Sequence, residues 1–344
     1  CGAAGLYTAL NLPKDLHVLM ICQEDMDTCD SMLAQGGICV LRGEDDYESY
    51  FEDTMRAGHY ENRKESVDLM IRTSPGIIRH LLELGVGFDK NPEHARHTRE
   101  EKEKNWEFTV KCALVIKDLM NGNKRLTEDY SEEMLGHNAL AAGFQGQRQW
   151  TDYLPNTDFP EAILNSSFDW NGAREPYILA TENDTLNGAS MLFLKLLTNR
   201  AQMFADVRTC WSGDGVRRIT GYELEGHAKE ANGFIHLINS GACCLDACAE
   251  ARDGSGKPAI KPFWEMSKED VDACLKATTW CEADLGYFRG GGYSSRFETK
   301  CEMPMTMIRL NIVKGIGPVV QIAEGWSVEL PKEVSDVIWK RTDY

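Results

Sequence analysis

Hydrophobic and polar residues along the chain alternate between helical and strand spacing. Residues 6–12 read as a short helix and 16–22 as a strand. Between 67 and 84, Val67, Met70, Ile71, Ile77, Ile78, Leu81 and Leu82 recur at roughly helical intervals. Ser74-Pro75 falls in the middle of that run and reads as a cap followed by proline at a first helical position, so two helices are expected there. Trp106, Val110, Leu114, Ile116, Leu119 and Met120 mark an amphipathic helix that should stop near 121–123 (NGN). The small-residue-rich stretch 132–143 is expected to be helical and to lead into 144–147 (FQGQ).

The stretch 176–211 organises the rest. An apolar segment, 176–180, runs into 181–184 (TEND), then a helix is expected over 186–197, then a second strand-like run over 202–207. Further on, 216–224, 234–238, 306–313 and 319–323 read as short strands separated by Gly, Pro, Asn and Asp. The expected fold class is α/β, passing into a β-rich α+β portion, with a boundary near 197–200.

Two acids in this stretch are candidates for chemistry. Glu182 stands where a strand ends and a helix begins, the place where α/β sheets expose reactive groups on loops held by a rigid scaffold. Asp206 lies within 203–207 (MFADV), and a carboxylate among apolar neighbours is costly to bury unless a cation or hydrogen bonds compensate it. A divalent metal held by both acids is one way to compensate it. The plainer alternative is that Asp184 caps the following helix and Asp206 pairs with Arg208 or Arg200.

Composition narrows the classes. A net charge of −17 over 344 residues argues against nucleic acid or an anionic membrane surface as partner, since both need clustered Lys and Arg. No apolar run approaches the ~20 residues that span a bilayer, so a soluble cytoplasmic protein is expected. Twelve scattered cysteines without a regular framework read as thiols, and Cys243-Cys244 with Cys248 lacks zinc-ligand spacing. The chain starts at Cys1 inside a recognisable pattern, which suggests a fragment.

Long motifs carry a resemblance. Segments 133–139 (EMLGHNA), 142–152 (AGFQGQRQWTD), 166–172 (SSFDWNG), 180–188 (ATENDTLNG), 204–209 (FADVRT), 288–297 (FRGGGYSSRF) and 321–332 (QIAEGWSVELPK) resemble the L-fucose isomerase family from about residue 101 onward. The resemblance implies that Glu182 and Asp206 are both metal ligands and the catalytic acid/base pair, that the metal is Mn²⁺, and that the substrates are L-fucose and L-fuculose. It also implies a homo-oligomer, with a third ligand, a histidine, in a segment downstream of Tyr344. Gln145 in the glutamine-rich turn, Ser240 and Tyr293 in glycine-bordered loops are the candidate sugar contacts.

The first hundred residues resemble something else, the flavin domain of L-aspartate oxidase. Gly2, Ala3, Ala4 and Gly5 stand where the last two glycines of a dinucleotide-binding turn would be, letting the backbone approach a pyrophosphate. Ser31, Ala34, Gln35, Gly36 and Gly37 are the companion cofactor-binding positions. The first strand of that unit and the oxidase's capping domain are missing, so tight FAD binding is not expected. The domain reading is therefore a truncated Rossmann-like segment over 1–100, an α/β portion over 101–197 and a partial β-rich domain over 198–344. Three functions stay open: an isomerase with an incomplete site, a flavoprotein fragment, and an inactive chimera of two fragments.

Overall fold

The computed structural model of the chain describes residues 2–21, 38–86, 97–144, 153–239, 241, 243–283 and 290–342. The chain divides into two compact units, 1–94 and 95–344.

The described part of the first unit is helical: α1 (Ala3–Asn11), α2 (Tyr47–Ala57) and α3 (Lys64–Glu83). Residues 16–21 form no strand, contrary to the expectation of a dinucleotide-binding half-unit; Leu19 and Ile21 are exposed, and no strand partner exists among the described residues. An unpaired strand satisfies neither its backbone groups nor its apolar face, which is why the pattern alone did not suffice. Helix α3 also corrects the sequence reading, because it runs unbroken through Pro75. Proline lacks the N–H that would pair with the Ile71 carbonyl, and the Ser74 hydroxyl donates to that carbonyl at 2.7 Å instead. Ser74 also accepts from the Leu41 N–H at 3.0 Å. Val67 and Ile71 then pack on Met55 with Tyr47, Tyr50 and Phe51 around them.

The second unit opens with α4 (Arg99–Asn121). Thr98 and Glu101 form a reciprocal capping box at its start, satisfying two otherwise orphaned N–H groups. It stops at Gly122, as the NGN signal predicts. The next helix, α5 (Ser131–Leu135), is only five residues, shorter than the expected run over 132–143. It ends because Gly136 takes φ 65°, and a Cβ there would lie 2.1 Å from the Gly122 nitrogen, so the two glycines let the ends of α4 and α5 meet.

Strand β1 (Ala142–Gly143) follows, and then α6 (Asp158–Asn165), all eight residues of which are buried. The hairpin β2 (Phe168–Asp169) with β3 (Gly172–Ala173) leads to β4 (Leu179–Ala180), which pairs in parallel with β1. Helix α7 (Thr185–Thr198) comes next, capped by Asp184, whose carboxylate accepts from the Asn187 N–H. The plainer reading of Asp184 is therefore correct. Strand β5 (Asp206–Ser212) starts where the sequence pattern places the end of a strand, and the helix α8 (Gly213–Thr220) replaces the strand expected over 216–224. The Ser212 side chain accepts from the Gly215 N–H and Gly221 ends the helix in the left-handed region, a start and a stop signal that outweigh β-branched content.

After α9 (Gly226–Glu230), β6 (Gly233–Ile238) pairs antiparallel with β5. Helix α10 (Lys268–Ala277) and the strand pair β7 (Thr279–Glu282) and β8 (Tyr293–Arg296) follow. A hairpin of two ten-residue strands, β9 (Pro304–Val313) with β10 (Gly317–Trp326), and α11 (Lys332–Thr342) complete the unit. Strands therefore occur, among the described residues, as five two-stranded ladders, with β1–β4 the parallel one. The main core gathers Ala113 and Met120 of α4, Phe159 and Leu164 of α6, Phe168, Leu179 and Leu245. Burying each of the large apolar side chains contributes about 1.5–3 kcal/mol.

Candidate functional site

Glu182 follows directly on β4, in a tight turn, Thr181–Asn183. Its φ of 55° and the 60° of Asn183 put two consecutive non-glycine residues in the left-handed region. Such residues cost roughly 1–2 kcal/mol each and persist only where surrounding contacts fix them. Those contacts are present on both sides. The Asp184 N–H closes the turn onto the Thr181 carbonyl at 3.1 Å, and Asp184 caps α7. Arg309 of β9 pairs with Asp184 at 3.2 Å and also bonds Asn187, while the Leu310 N–H donates to Ser190 at 2.9 Å. The hairpin thus braces the start of the helix that Glu182 precedes.

Asp206 is the first residue of β5, and its side chain is 48% exposed rather than buried among apolar neighbours. The ladder slips between Val207 and Thr209, which leaves Arg208 as the extra residue of a bulge, 3.7 Å from the Asp206 carboxylate. The pairing with Arg208 that the sequence allowed is therefore present, at the outer limit of an ion pair. Arg200 instead donates to the Ile260 and Thr198 carbonyls.

The two acids sense each other. Burial raises the Glu182 carboxyl above its ordinary value, the charge of Asp206 raises it further, Arg208 opposes and Asp184 adds to the rise. Two hard oxygen donors in mutual repulsion suit a divalent cation, and the chemistry of the pair fits one. Among the described residues no group of three or more His, Cys, Asp and Glu is arranged to hold a metal, so the described part of the chain offers two donors.

Behind Glu182 lies a second group of acids that the sequence reading did not single out. Asp158 and Glu161 sit on the buried helix α6, 5% and 2% exposed. The Thr181 hydroxyl meets Glu161 Oε2 at 2.7 Å, the Thr157 hydroxyl donates to Oε1 at 3.2 Å, and Ser294 donates to Asp158. Burial lifts the Glu161 carboxyl to about 8, the Asp158 charge adds to the rise, the Thr181 and Thr157 hydroxyls oppose it and Glu182 adds again. A signal existed in the sequence: two carboxyls three apart in 158–165 (DFPEAILN) share one face of an otherwise apolar helix.

The sugar-contact candidates fall in different places. Gln145 and Ser240 lie outside the described residues, although the flanking Asn239 and Gly241 stand against Thr181 and Glu161. Tyr293 donates its hydroxyl to the Lys102 carbonyl at 3.1 Å and packs edge-on to Trp106. Successive strand residues face opposite sides, so its neighbour Ser294 is the one that reaches the acid group. A cavity of about 600 Å³ opens beside the cluster, with Ala205, Asn239 and Cys243 on the side near the acids and Phe234, Met305, Met307 and Trp326 on its apolar side.

In the first unit, Gly2 is the N-cap of α1 and Ala3, Ala4 and Gly5 form its first turn. A Cβ at Gly5 would meet nothing within 4 Å, so no close approach of backbone calls for glycine there. Ser31, Ala34, Gln35, Gly36 and Gly37 lie outside the described residues.

One acid stands in a strand-end turn and the other opens a bulged strand, near enough for the charge of Asp206 to act on Glu182, and this defines a two-carboxylate centre. Comparison with known proteins then supplies the family. Residues 80–199 match the family model for the second N-terminal domain of L-fucose isomerase, and 237–344 match the one for its C-terminal domain. The chain belongs to the L-fucose isomerase family. The first match takes in residues 80–100, which the resemblance to the oxidase groups with the first segment. Among curated relatives, the L-fucose isomerase of Phocaeicola vulgatus is 59% identical over 260 residues, covering 75% of this chain and 44% of that protein. That of Bacteroides thetaiotaomicron is 53% identical over 298 residues (82% and 50%), and that of Streptococcus pneumoniae strain P1031 is 58% identical over 259 residues (75% and 43%). The chain thus spans about half the length of the curated relatives it matches. No described helix is long and apolar enough to cross a membrane.

Proposed function

We propose that this chain carries the two-carboxylate part of an aldose–ketose isomerase centre that interconverts L-fucose and L-fuculose, with Glu182 and Asp206 as metal ligands and proton-transfer groups. The observation that carries the reading is that the two acids lie near enough to interact: burial and then the charge of Asp206 raise the Glu182 carboxyl above its ordinary value. A carboxylate so raised is suited to take a proton from C2 of the aldose and return it to C1, while the hydroxyl proton moves from O2 to O1. Mn²⁺, when bound, supplies a Lewis acid for the two sugar oxygens. The strained turn fixes the direction of the Glu182 carboxylate before substrate arrives, so no reorganisation is needed at the moment of transfer. Arg208 limits the charge around Asp206 without neutralising it.

Gln145 and Ser240 are the proposed sugar contacts, Tyr293 being turned to Lys102 and Trp106, and a homo-oligomer is the proposed assembly. The nine described cysteines are all thiols, which suits the cytoplasmic location proposed with this reading. The test is a Mn²⁺ titration followed by electron paramagnetic resonance, together with an assay of L-fucose conversion. Metal binding that weakens in Glu182→Gln and Asp206→Asn, with conversion lost in both, is the expected result. A chain that binds no divalent ion and converts no L-fucose sinks the reading.

A further inference from the structure

Glu161 has no part in the proposed reaction, and its carboxyl is almost completely buried, with hydroxyls and no cation as its recorded partners. The hydrogen count around it is informative. The Thr181 hydroxyl lies 2.7 Å from Glu161 Oε2 and 3.3 Å from Asn239 Oδ1, and it has one hydrogen for these two acceptors. Asn239 Oδ1 also accepts from the Gly241 N–H at 2.7 Å. A proton on Glu161 Oε2 completes a single directed chain: Glu161 donates to Thr181, Thr181 donates to Asn239, and Gly241 closes on the same oxygen. The fit is tight, since a Cβ at Gly241 would lie 2.2 Å from Glu161 Oε2. Thr181 is the residue immediately before Glu182, in the turn whose left-handed backbone needs external contacts to hold it.

We propose that Glu161, as a neutral acid, is a positioning residue for Glu182: through Thr181, Asn239 and Gly241 it fixes the turn that aims the Glu182 carboxylate. The proposal rests on the isomerase reading for its catalytic consequence, and on geometry alone for its structural one. The environment agrees with the protonation, because burial and the charges of Asp158 and Glu182 all favour the uncharged form.

Glutamine reproduces the hydrogen-bond pattern of the neutral acid, with its amide donating to Thr181 and its carbonyl accepting from Thr157, whereas methionine keeps the volume and removes the pattern. In the full chain, Glu161→Gln should change kcat by less than about threefold, whereas Glu161→Met should lower kcat about 100-fold with little change in KM, as a misplaced catalytic group does. Hydrogen exchange of the amides at 181–184, read by mass spectrometry, should speed up about tenfold or more in Glu161→Met and stay unchanged in Glu161→Gln. If Glu161→Met fails to fold, Thr181→Val cuts the same chain one link further on and should speed the same amides. The proposal is overturned if Glu161→Gln is as impaired as Glu161→Met, which would make the charge essential. It is equally overturned if exchange at 181–184 stays slow when the chain of bonds is cut. The exchange result stands whether or not the wild type converts L-fucose, so a failure of the isomerase reading is told apart from a failure of this one.

Discussion

Helix α6 is held by a buried acid at each end, and the two are held in opposite ways. At its C-terminal side, Asp169 accepts from Arg174 Nε at 2.8 Å and from the Asn171 N–H at 2.8 Å, with Lys117 at 3.7 Å. Arg174 in turn donates to the carbonyls of Ile163 and Ser166, the orphan acceptors where the helix ends. Burial pushes the Asp169 carboxyl up, but the Asn171 N–H and the Arg174 guanidinium more than offset it and hold it below its ordinary value. On the N-terminal side, Glu161 has hydroxyls where Asp169 has a guanidinium, and burial lifts it to about 8. Asp246 stands between these cases: it accepts from both the N–H and the hydroxyl of Ser167, and burial still leaves it raised. Burial pushes all three carboxyls up, and their partners decide how much of that push survives. The acid bonded to a guanidinium is lowered and the two without that bond are raised, and the one held by hydroxyls alone is next to the candidate centre.

The largest expected effect breaks the Asp169 end. Arg174→Met leaves a buried carboxylate without its main partner and should cost about 3–5 kcal/mol of stability, measured by urea denaturation. A loss below about 1 kcal/mol would mean that the pair behaves like a surface ion pair and that the contrast between the two acids is empty.

The next effect is in the pH dependence, and the two acids predict opposite slopes. A carboxyl raised to about 8 binds its proton more tightly folded than unfolded, so its favourable contribution is full at low pH and is lost as pH rises from the ordinary carboxylate range to about 8. For Asp169 the folded state holds the proton less tightly, so its contribution is present above the ordinary value and lost as pH falls. Glu161→Gln should therefore flatten the decline between about pH 5 and 8, worth a few kcal/mol at most. Denaturation midpoints of wild type and Glu161→Gln that run parallel over that window would show that Glu161 is not held neutral.

How far these acids could be read from the sequence follows from what each one depends on. Glu182 was legible because a strand-to-helix junction is local, and the family motif 180–188 surrounds it. The helices over 99–121 and 185–198 and the two strands within 304–326 followed from periodicity, whereas the pairing of those strands into a hairpin is seen in the structure. Glu161 was not legible in its role, because its partners Thr181, Asn239 and Gly241 lie up to eighty residues away and nothing in 158–165 names them. The strand expected over 216–224 failed for a different reason. Ser212 and Gly221 are cap signals for a helix between them, and they prevail over the β-branched content of that stretch. Likewise, the Ser74 hydroxyl of α3 reaches the Ile71 carbonyl that Pro75 has no N–H to meet, a side-chain bond inside the helix where the Ser-Pro pair alone reads as a break.

The smallest effect sharpens the comparison most. Thr157→Val removes a single hydroxyl that donates to Glu161 Oε1 at 3.2 Å. If Glu161 is neutral near pH 6, the loss is that of a hydrogen bond between neutral groups, about 1 kcal/mol or less. Above pH 8 the same carboxyl is ionised, the hydroxyl becomes one of its few stabilising donors, and the cost should rise to roughly 1.5–3 kcal/mol. The informative quantity is the change in the Thr157→Val penalty between pH 6 and pH 9, followed by urea denaturation at both values. A penalty that is equal at the two pH values means that Glu161 keeps one charge state throughout. Repeating the measurement in Glu161→Gln, where no charge can form, should remove the pH dependence, which ties any rise to this carboxyl rather than to Asp158 or Glu182 beside it.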